Sequence, residues 1–117
     1  MLNKEINVIV NTLKDFKIES LVFVNEYKFD VTQEQQMMSR AMAEIENCDL
    51  LVAETSEKGI GIGIEVGYAK AHGKKIIYLR QKKSDHSTTV SGISDFKIIY
   101  TGLVDLRQQL SNTLNKL

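Results

Sequence analysis

The sequence predicts an α/β fold of the Rossmann-like or flavodoxin-like kind, a three-layer domain in which a mostly parallel sheet of about four strands lies between helices. Segments with helical spacing alternate with short apolar segments along the chain, and strands that alternate with helices form parallel sheets. The apolar segments are also continuous runs rich in Val, Ile and Leu, which is typical of strands that are buried on both faces.

The first half of the chain contains two predicted helices and two predicted strands. Residues 5–17 carry apolar side chains at helical spacing, and residues 20–27 (SLVFVNEY) form an apolar run that predicts a strand. Residues 32–35 (TQEQ) match a capping box, which predicts the start of a second helix. Residues 49–53 (DLLVA) are the clearest strand. The buried stripe of the second helix is expected to consist of Met38, Ala41, Met42 and Ile45.

The second half continues the alternation. A glycine-rich turn over 58–63 leads into a helix predicted from about residue 64 to residue 72, which Gly73 is expected to end. A strand over 75–79 (KIIYL) follows, and the polar residues 81–95 predict a long loop. The last two elements are a strand over 97–100 (KIIY) and a helix carrying Leu103, Leu106, Leu110, Leu114 and Leu117.

Length and composition exclude several classes of protein. The 117 residues suit one domain, taken as 1–117, and 15 basic residues balance 15 acidic ones, so nothing favours nucleic acid or an anionic membrane as partner. No apolar run approaches the roughly 18 residues of a membrane span. The lone Cys48 excludes an internal disulfide and a Cys-based zinc site. We expect a cytoplasmic domain without a metal or cofactor.

The candidate ligand site lies at one edge of the predicted sheet. Parallel sheets bind ligands beyond the carboxyl ends of their strands, and this rule points to the segments after Asn25, Ala53 and Leu79. Two nucleotide-binding templates fail there. A dinucleotide fingerprint needs glycine at Val66, and a phosphate-binding P-loop needs Ser or Thr at Lys75.

What remains after the strand over 49–53 is a glycine turn followed by a carboxylate. Gly59, Gly61 and Gly63 remove side-chain bulk, so a ligand can approach the backbone closely. Glu65 then falls in the first turn of the predicted helix, where the helix dipole keeps a carboxylate ionised. An ionised carboxylate suits nucleophilic attack on a sugar anomeric carbon, although acidic residues are also common in first turns for dipole reasons alone.

Three segments together resemble the nucleoside 2-deoxyribosyltransferase-like family, which includes the 2′-deoxynucleoside 5′-phosphate N-hydrolases. They are CDLLVAE over 48–54, GIGIEVGYA over 61–69 and GKKII over 73–77, and the resemblance covers about residues 36–100. It implies a nucleoside or nucleotide substrate, a homodimer or larger homo-oligomer, and double displacement. In that chemistry Glu65 attacks C1′ of the sugar, the base leaves, and water or a second base completes the reaction.

Several family positions carry other residues here. The second acidic site residue of the family falls on Ala41, and its polar residue six positions before the nucleophile falls on Gly59. The residue that the family contributes to a neighbouring subunit's site falls near Thr89, beside Ser87. Glu54 ends the strand that leads into the site, so we expect it to be the replacement acid.

The resembling family begins with a short strand, whereas this chain begins with a predicted helix. In flavodoxin-like order that first strand is central. We therefore expect one of two arrangements: either the chain starts downstream of the natural first strand, or the strand from Ser20 occupies the central place of a four-stranded sheet.

Other polar residues at the same edge are expected to bind substrate. Arg80 could grip a phosphate bidentately or pair with a nearby carboxylate. Ser87 and Thr89 are expected to bind phosphate or sugar, and Asn25, with Tyr27 beside it, to contact a base.

Three functions are consistent with these residues. The first is an N-glycosidic-bond hydrolase or deoxyribosyltransferase, and the second is a non-catalytic nucleotide-binding or regulatory module of the same fold. The third is cleavage of NAD, since related folds use a single Glu for that bond.

Overall fold

The computed structural model describes residues 2–22, 31–57 and 59–117. These residues form five α-helices, one short 3-10 helix and a three-stranded sheet. In chain order the elements are α1 (Asn3–Asp15), the 3-10 helix (Val31–Gln33), α2 (Glu34–Asn47), β1 (Leu50–Glu54), α3 (Ile60–Ala71), β2 (Lys75–Gln81), α4 (Thr88–Gly92), β3 (Phe96–Tyr100) and α5 (Leu103–Leu114).

The three strands run parallel in the order β1-β2-β3, so β2 is the central strand of the described sheet. Glu54 of β1 pairs with Leu79 of β2, and Gln81 of β2 pairs with Tyr100 of β3. The carboxyl ends of all three strands therefore meet at one edge of the sheet, and this edge carries the candidate site.

Alternate side chains of the strands build a core on each face of the sheet. On one face α1 packs against α5, and α5 packs against β3. That core contains Ile9, Leu13, Ile77, Leu79, Ile98, Tyr100, Leu106, Leu110 and Leu114. On the other face α3 packs against β1, β2 and α2. The second core contains Ile45, Ala53, Val66, Ala69, Ile76, Tyr78 and Val90. The predicted three-layer α/β fold is thereby confirmed.

Two of the predictions in the first half need correction. The second helix begins at Glu34 with Gln33 as its N-cap, and no side chain caps it, so the capping box over 32–35 is wrong. A 3-10 helix occupies Val31–Gln33 instead. In the same helix only Ala41 and Ile45 of the predicted stripe are buried, and the two methionines are half-buried. Most of the strand predicted over 20–27, with Asn25 and Tyr27, lies outside the described residues.

Gly73 ends α3 as predicted. Its φ is 73°, in the left-handed region that glycine adopts without steric cost. The Gly73 N–H donates to the Lys70 carbonyl at 3.1 Å, and the Lys74 N–H donates to the Ala69 carbonyl at 3.0 Å. This pair of hydrogen bonds is a Schellman motif, which turns the chain directly into β2.

The segment predicted as a long polar loop contains a short helix. Ser87 is the N-cap of α4, and its hydroxyl accepts a hydrogen bond from the Val90 N–H at 3.4 Å. Val90 joins the second core, which provides the apolar contact that anchors this turn. At the other end of the chain, Leu117 was predicted to lie on the last helix, but α5 ends at Leu114 and Leu117 is 55% exposed.

None of the helices in the described ranges is both long and apolar enough to cross a membrane.

Candidate active site

The two residues that follow β1 are hydrogen-bonded to β2. The Thr55 N–H and hydroxyl both donate to the Leu79 carbonyl, at 2.8 and 3.0 Å. One residue later, the Ser56 hydroxyl accepts a hydrogen bond from the Gln81 N–H at 2.7 Å. These bonds extend the β1–β2 pairing past the end of β1, as far as Ser56.

Glu54 is engaged by two neighbours at the end of β1. One carboxylate oxygen accepts from the Ser56 N–H at 2.5 Å, and the other accepts from the Tyr100 hydroxyl. Burial raises the pKa of Tyr100 well above its ordinary value, and the hydrogen bond to Glu54 raises it further. Tyr100 therefore remains a neutral donor to this carboxylate across the ordinary pH range.

The glycine-rich segment is largely helical, in contrast to the predicted turn. Helix α3 begins at Ile60, four residues before the predicted start, so Gly61 and Gly63 lie within its first turns. Glycine in a helix interior costs about 1 kcal/mol relative to alanine, and here the packing of Ile62 on the second core helps to offset that cost. A Cβ built on Gly61 or Gly63 meets no atom within 4 Å, so these glycines leave open space along the start of α3.

Glu65 consequently lies in the second turn of α3, as its sixth residue, and the prediction of a first-turn carboxylate is wrong. The side chain is half-buried. Burial raises the pKa of Glu65 above its ordinary value, whereas the dipole argument predicted only stabilisation of the charged form. No hydrogen bond or ion pair joins its carboxylate to any other described residue.

Glu65 lies on the side of α3 that packs against α2. Residues three and four apart share a helix face, so Glu65 shares its face with Tyr68 and Ala69. The Tyr68 hydroxyl donates to a carboxylate oxygen of Glu46 on α2, and Ala69 packs with Ile45 of α2 in the second core. The carboxylate of Glu65 is therefore directed into the groove between the two helices, one turn nearer the carboxyl edge of the sheet.

Ala41 lies on the buried face of α2. It is 3% exposed and precedes Ile45 by one turn on that face. The position at which the resembling family has its second acid therefore carries a buried methyl group here.

Glu54 and Glu65 are on opposite sides of the sheet. Side chains alternate along a strand: Ala53 packs with α3 in the second core, while Glu54 points to the other face, where Tyr100 belongs to the first core. The structure does not bring these two predicted catalytic carboxylates together.

A separate pocket of about 360 Å³ lies on the other side of α3, between its N-terminus and α4. It brings together Gly59 and Ser87, both predicted to bind substrate, and also His86. The Ser87 N–H donates to the Tyr78 hydroxyl at 3.0 Å. The His86 ring packs edge-on against the Tyr78 ring, with 5.8 Å between the ring centroids. The lining residues are Thr55, Glu57, Gly59, Ile60, Ile62, Asp85, His86, Ser87 and Val90.

The remaining predicted binding residues lie elsewhere. Thr89 is exposed on α4, with its hydroxyl 3.5 Å from that of Ser87. Arg80 uses its Nη1 to donate to three backbone carbonyls at 2.9–3.2 Å, those of Gln81 at the end of β2 and of Lys82 and Ser84 in the loop that follows. Its Nε is buried and has no partner among the described residues. Asn25 lies outside those residues.

Comparison with known proteins identifies the family. The family model described as nucleoside 2-deoxyribosyltransferase matches residues 3–112. The chain belongs to this family. A search of curated protein sequences found no match.

Two solved structures are similar to this nucleoside 2-deoxyribosyltransferase family member. A Clostridium botulinum CMP N-glycosidase, BcmB, matches with a TM-score of 0.73 and 26% identity, over 92% of this chain and 90% of that one. A structure from work on the mechanism and regulation of Sir2 enzymes matches with a TM-score of 0.50 and 22% identity, over 71% of this chain and 34% of that one. The second likeness concerns the fold alone. The family and the first match support N-glycosidase activity of the nucleoside deoxyribosyltransferase type.

Four polar residues at the carboxyl edge of the sheet were missed from the sequence. Ser56, Tyr78, Gln81 and Tyr100 make the hydrogen bonds that hold the residues after β1 and the loop before α4. The available signal was the tyrosine in each of the strand segments KIIYL and KIIY, because a buried tyrosine hydroxyl needs a hydrogen-bond partner.

Proposed function

We propose that this chain is an N-glycosidase that hydrolyses a nucleoside 5′-monophosphate, with Glu65 as the nucleophile. The observation that carries the proposal is the state of Glu65: a half-buried carboxylate with a raised pKa, free of partners in the described residues, at the glutamate of the family's GIGIEVG segment. A carboxylate held only for structure is ordinarily paired or hydrogen-bonded when water is removed from it.

The proposed reaction has two displacements. A Glu65 carboxylate oxygen forms a bond to C1′ as the bond from C1′ to the base nitrogen breaks, and the base leaves with the bonding electron pair and takes up a proton. Water then attacks C1′, the bond to Glu65 breaks, and the sugar phosphate is released. Partial removal of water from Glu65 favours the first step, because a poorly solvated carboxylate is a better nucleophile.

The name of the structural neighbour favours hydrolysis and a monophosphate substrate. That protein is described as a CMP N-glycosidase and shares 26% identity with this chain over 92% of its length. We therefore place cytidine monophosphate first among substrates. The lone Cys48 favours a reducing compartment, and we place the reaction in the cytoplasm.

We further propose that the active unit is a homodimer or larger homo-oligomer. Ser87 lies on the α4 side of α3, whereas Glu65 faces α2. The hydroxyls of Ser87 and Thr89 are therefore assigned to the substrate of a neighbouring copy, as the family resemblance implies.

The test is release of free base. Purified chain is incubated with cytidine monophosphate, the deoxynucleosides, their monophosphates and NAD, and the products are separated chromatographically. We expect base release from a monophosphate by the unchanged chain and by Glu19→Gln, an exposed control on the segment after α1, and none by Glu65→Ala. Equal background in the unchanged chain and Glu65→Ala would refute the proposal.

A second candidate function is a nucleotide-binding or regulatory module without catalysis. Two observations favour it: buried Ala41 stands at the position where the family has an acid, and Glu54 is engaged by Tyr100 and Ser56. Under this function, isothermal titration calorimetry would show binding of monophosphates to the unchanged chain, and no substrate of the panel would release base.

A further inference from the structure

Arg80, near the end of β2, directs its guanidinium to the backbone of the chain that follows it. Its Nη1 donates to the carbonyl oxygens of Gln81 at 3.2 Å, of Lys82 at 3.1 Å and of Ser84 at 2.9 Å. The same turn is closed by Ser84, whose N–H and hydroxyl donate to the Gln81 carbonyl at 3.0 and 2.6 Å. One cationic group therefore gathers three carbonyl oxygens of residues 81–84 around it.

The partners of Arg80 within the described residues are all backbone carbonyls. Hydrogen bonds from an ionised donor are stronger than those between neutral groups. The Nε is buried and has no partner among the described residues. The bonds to the turn are therefore the contribution that this guanidinium makes to the structure.

Tyr78 holds the other end of the same segment. Side chains alternate along a strand, so Tyr78 and Arg80, two positions apart on β2, leave it on the same face. Tyr78 is fully buried in the second core, and its hydroxyl accepts a hydrogen bond from the Ser87 N–H at 3.0 Å. The segment 82–87, which joins β2 to α4, is thus bound to side chains of β2 at both of its ends.

The segment ends at a hydroxyl that lines the pocket beside α4. Ser87 accepts the Val90 N–H as the N-cap of α4, and a hydroxyl that accepts one hydrogen bond can still donate its own proton. A binding site holds its polar groups within about 0.5 Å of the productive geometry by means of neighbouring hydrogen bonds. For Ser87 the neighbouring bonds are those that order the segment 82–87.

We propose that Arg80 is a positioning residue for the N-glycosidase reaction. By binding the carbonyls of residues 81–84 it orders the segment 82–87, and it thereby places the Ser87 hydroxyl for the sugar phosphate of the substrate. The substrate contact of Ser87 rests on the proposed function, whereas the ordering of the segment by Arg80 does not. In this role Arg80 touches no substrate and acts through Ser87.

Amide hydrogen exchange on the full chain tests the ordering of the segment. Arg80→Gln removes the guanidinium, and Arg80→Met does so without placing a new polar group there. We expect the amides of Ser84 and Ser87 to exchange about tenfold faster or more in either variant, as the charge-assisted bonds are lost, and the amides of β2 to keep their rates. Arg80→Lys keeps a positive charge and three donors, so it should restore most of the protection.

A matched control is Arg107→Gln, which replaces an exposed arginine of α5 and should leave the exchange of Ser87 unchanged. Exchange of Ser87 at the rate of the unchanged chain in a folded Arg80→Gln or Arg80→Met would overturn the proposal. Equal acceleration at Ser87 and throughout β2 would also overturn it, because that result reports a general loss of stability.

A double-mutant cycle tests the link from Arg80 to the substrate. Ser87→Gly removes the hydroxyl, while glycine remains nearly as good an N-cap as serine. We expect Arg80→Gln and Ser87→Gly each to raise the KM for cytidine monophosphate by about tenfold, the effect of a lost hydrogen bond to a charged group, with kcat within about threefold. The combined variant should be no worse than Ser87→Gly alone, since a residue that acts through another adds nothing once that partner is absent.

Two kinetic results would contradict the proposal: effects of the two substitutions that multiply, or a fall in kcat without a rise in KM. If the unchanged chain releases no base, the proposed function fails, and the exchange measurement alone then decides whether Arg80 orders the segment. The two failures are therefore distinguishable.

Discussion

Glu54 and Glu65 are two glutamates near the carboxyl edge of one sheet, and their surroundings differ in every respect. Glu54 receives two hydrogen bonds, from Tyr100 and from the Ser56 N–H, on the face covered by α1 and α5. Glu65 receives none from the described residues and is desolvated between α2 and α3. The contrast teaches that two carboxylates near the same sheet edge can differ fully in their partners: both oxygens of Glu54 are engaged, whereas the carboxylate of Glu65 has no partner among the described residues. The variants below test which of the two takes part in catalysis.

The largest expected effect comes from Glu65→Gln. The amide keeps the shape of the side chain but cannot displace a base, so base release should fall by about 10³-fold or more, roughly 4 kcal/mol of transition-state stabilisation. Initial rates of base release from cytidine monophosphate give this ratio. A loss below about tenfold would mean that Glu65 is not the nucleophile.

The next largest effect is a loss of folding stability when Glu54 is replaced. Glu54→Ala leaves the Tyr100 hydroxyl without its acceptor, and an unsatisfied buried donor costs about 1–3 kcal/mol. Urea denaturation of Glu54→Ala and of Tyr100→Phe, which removes the same hydrogen bond from the other side, measures this cost.

Glu54→Gln decides whether Glu54 also has a catalytic role. The amide oxygen can still accept from Tyr100, although the hydrogen bond from the Ser56 N–H is lost, so a positioning role predicts that base release falls by less than about tenfold. A replacement acid could not lose its carboxyl group without a large loss of rate. A rate reduced by 10²-fold or more in a folded Glu54→Gln chain would therefore restore Glu54 as the acid.

The contrast between these residues also explains what could be predicted from the sequence. The fold class and the shared sheet edge follow from local periodicity, because apolar runs and helical stripes are properties of neighbouring residues. The predicted start of α3 is four residues too late, because three glycines predict a turn. In the structure the helix begins at Ile60, and Ile62 and Val66 pack on the second core. That the Glu54 carboxylate is hydrogen-bonded depends on Tyr100, 46 positions away in the chain, and local pattern contains no information about that partner.

A smaller effect is the pH dependence that Glu65 gives to stability. Its pKa in the folded chain is raised by burial above the ordinary 4.5, so the folded state binds this proton more tightly than the unfolded state does. The resulting stabilisation is fully present below the ordinary pKa and is lost as the pH rises through the raised value.

The isosteric variant isolates this contribution. Glu65→Gln cannot ionise, so it should match the unchanged chain in stability near pH 4 and exceed it at pH 7. Urea midpoints of both chains at pH 4, 5, 6 and 7 provide the comparison, with Glu19→Gln as a control. Parallel pH profiles for Glu65→Gln and the unchanged chain would contradict the burial of this carboxyl.

The smallest expected effect concerns Gly59, where the family carries a polar residue. Its φ is −166°, an extended backbone that any residue adopts, and a Cβ there lies 3.9 Å from the nearest atom, at Ile62. Helix α3 has no side-chain cap, and serine is a better N-cap than glycine by only a few tenths of a kcal/mol. Gly59→Ser should therefore raise the urea midpoint slightly without changing the slope of the transition. Gly59 lines the pocket beside α4 rather than the groove of Glu65, and a serine there adds one hydroxyl to a pocket that already contains Ser87, so base release should stay within about twofold. A large change in rate would instead show that residue 59 itself contacts the substrate from the α4 side of α3.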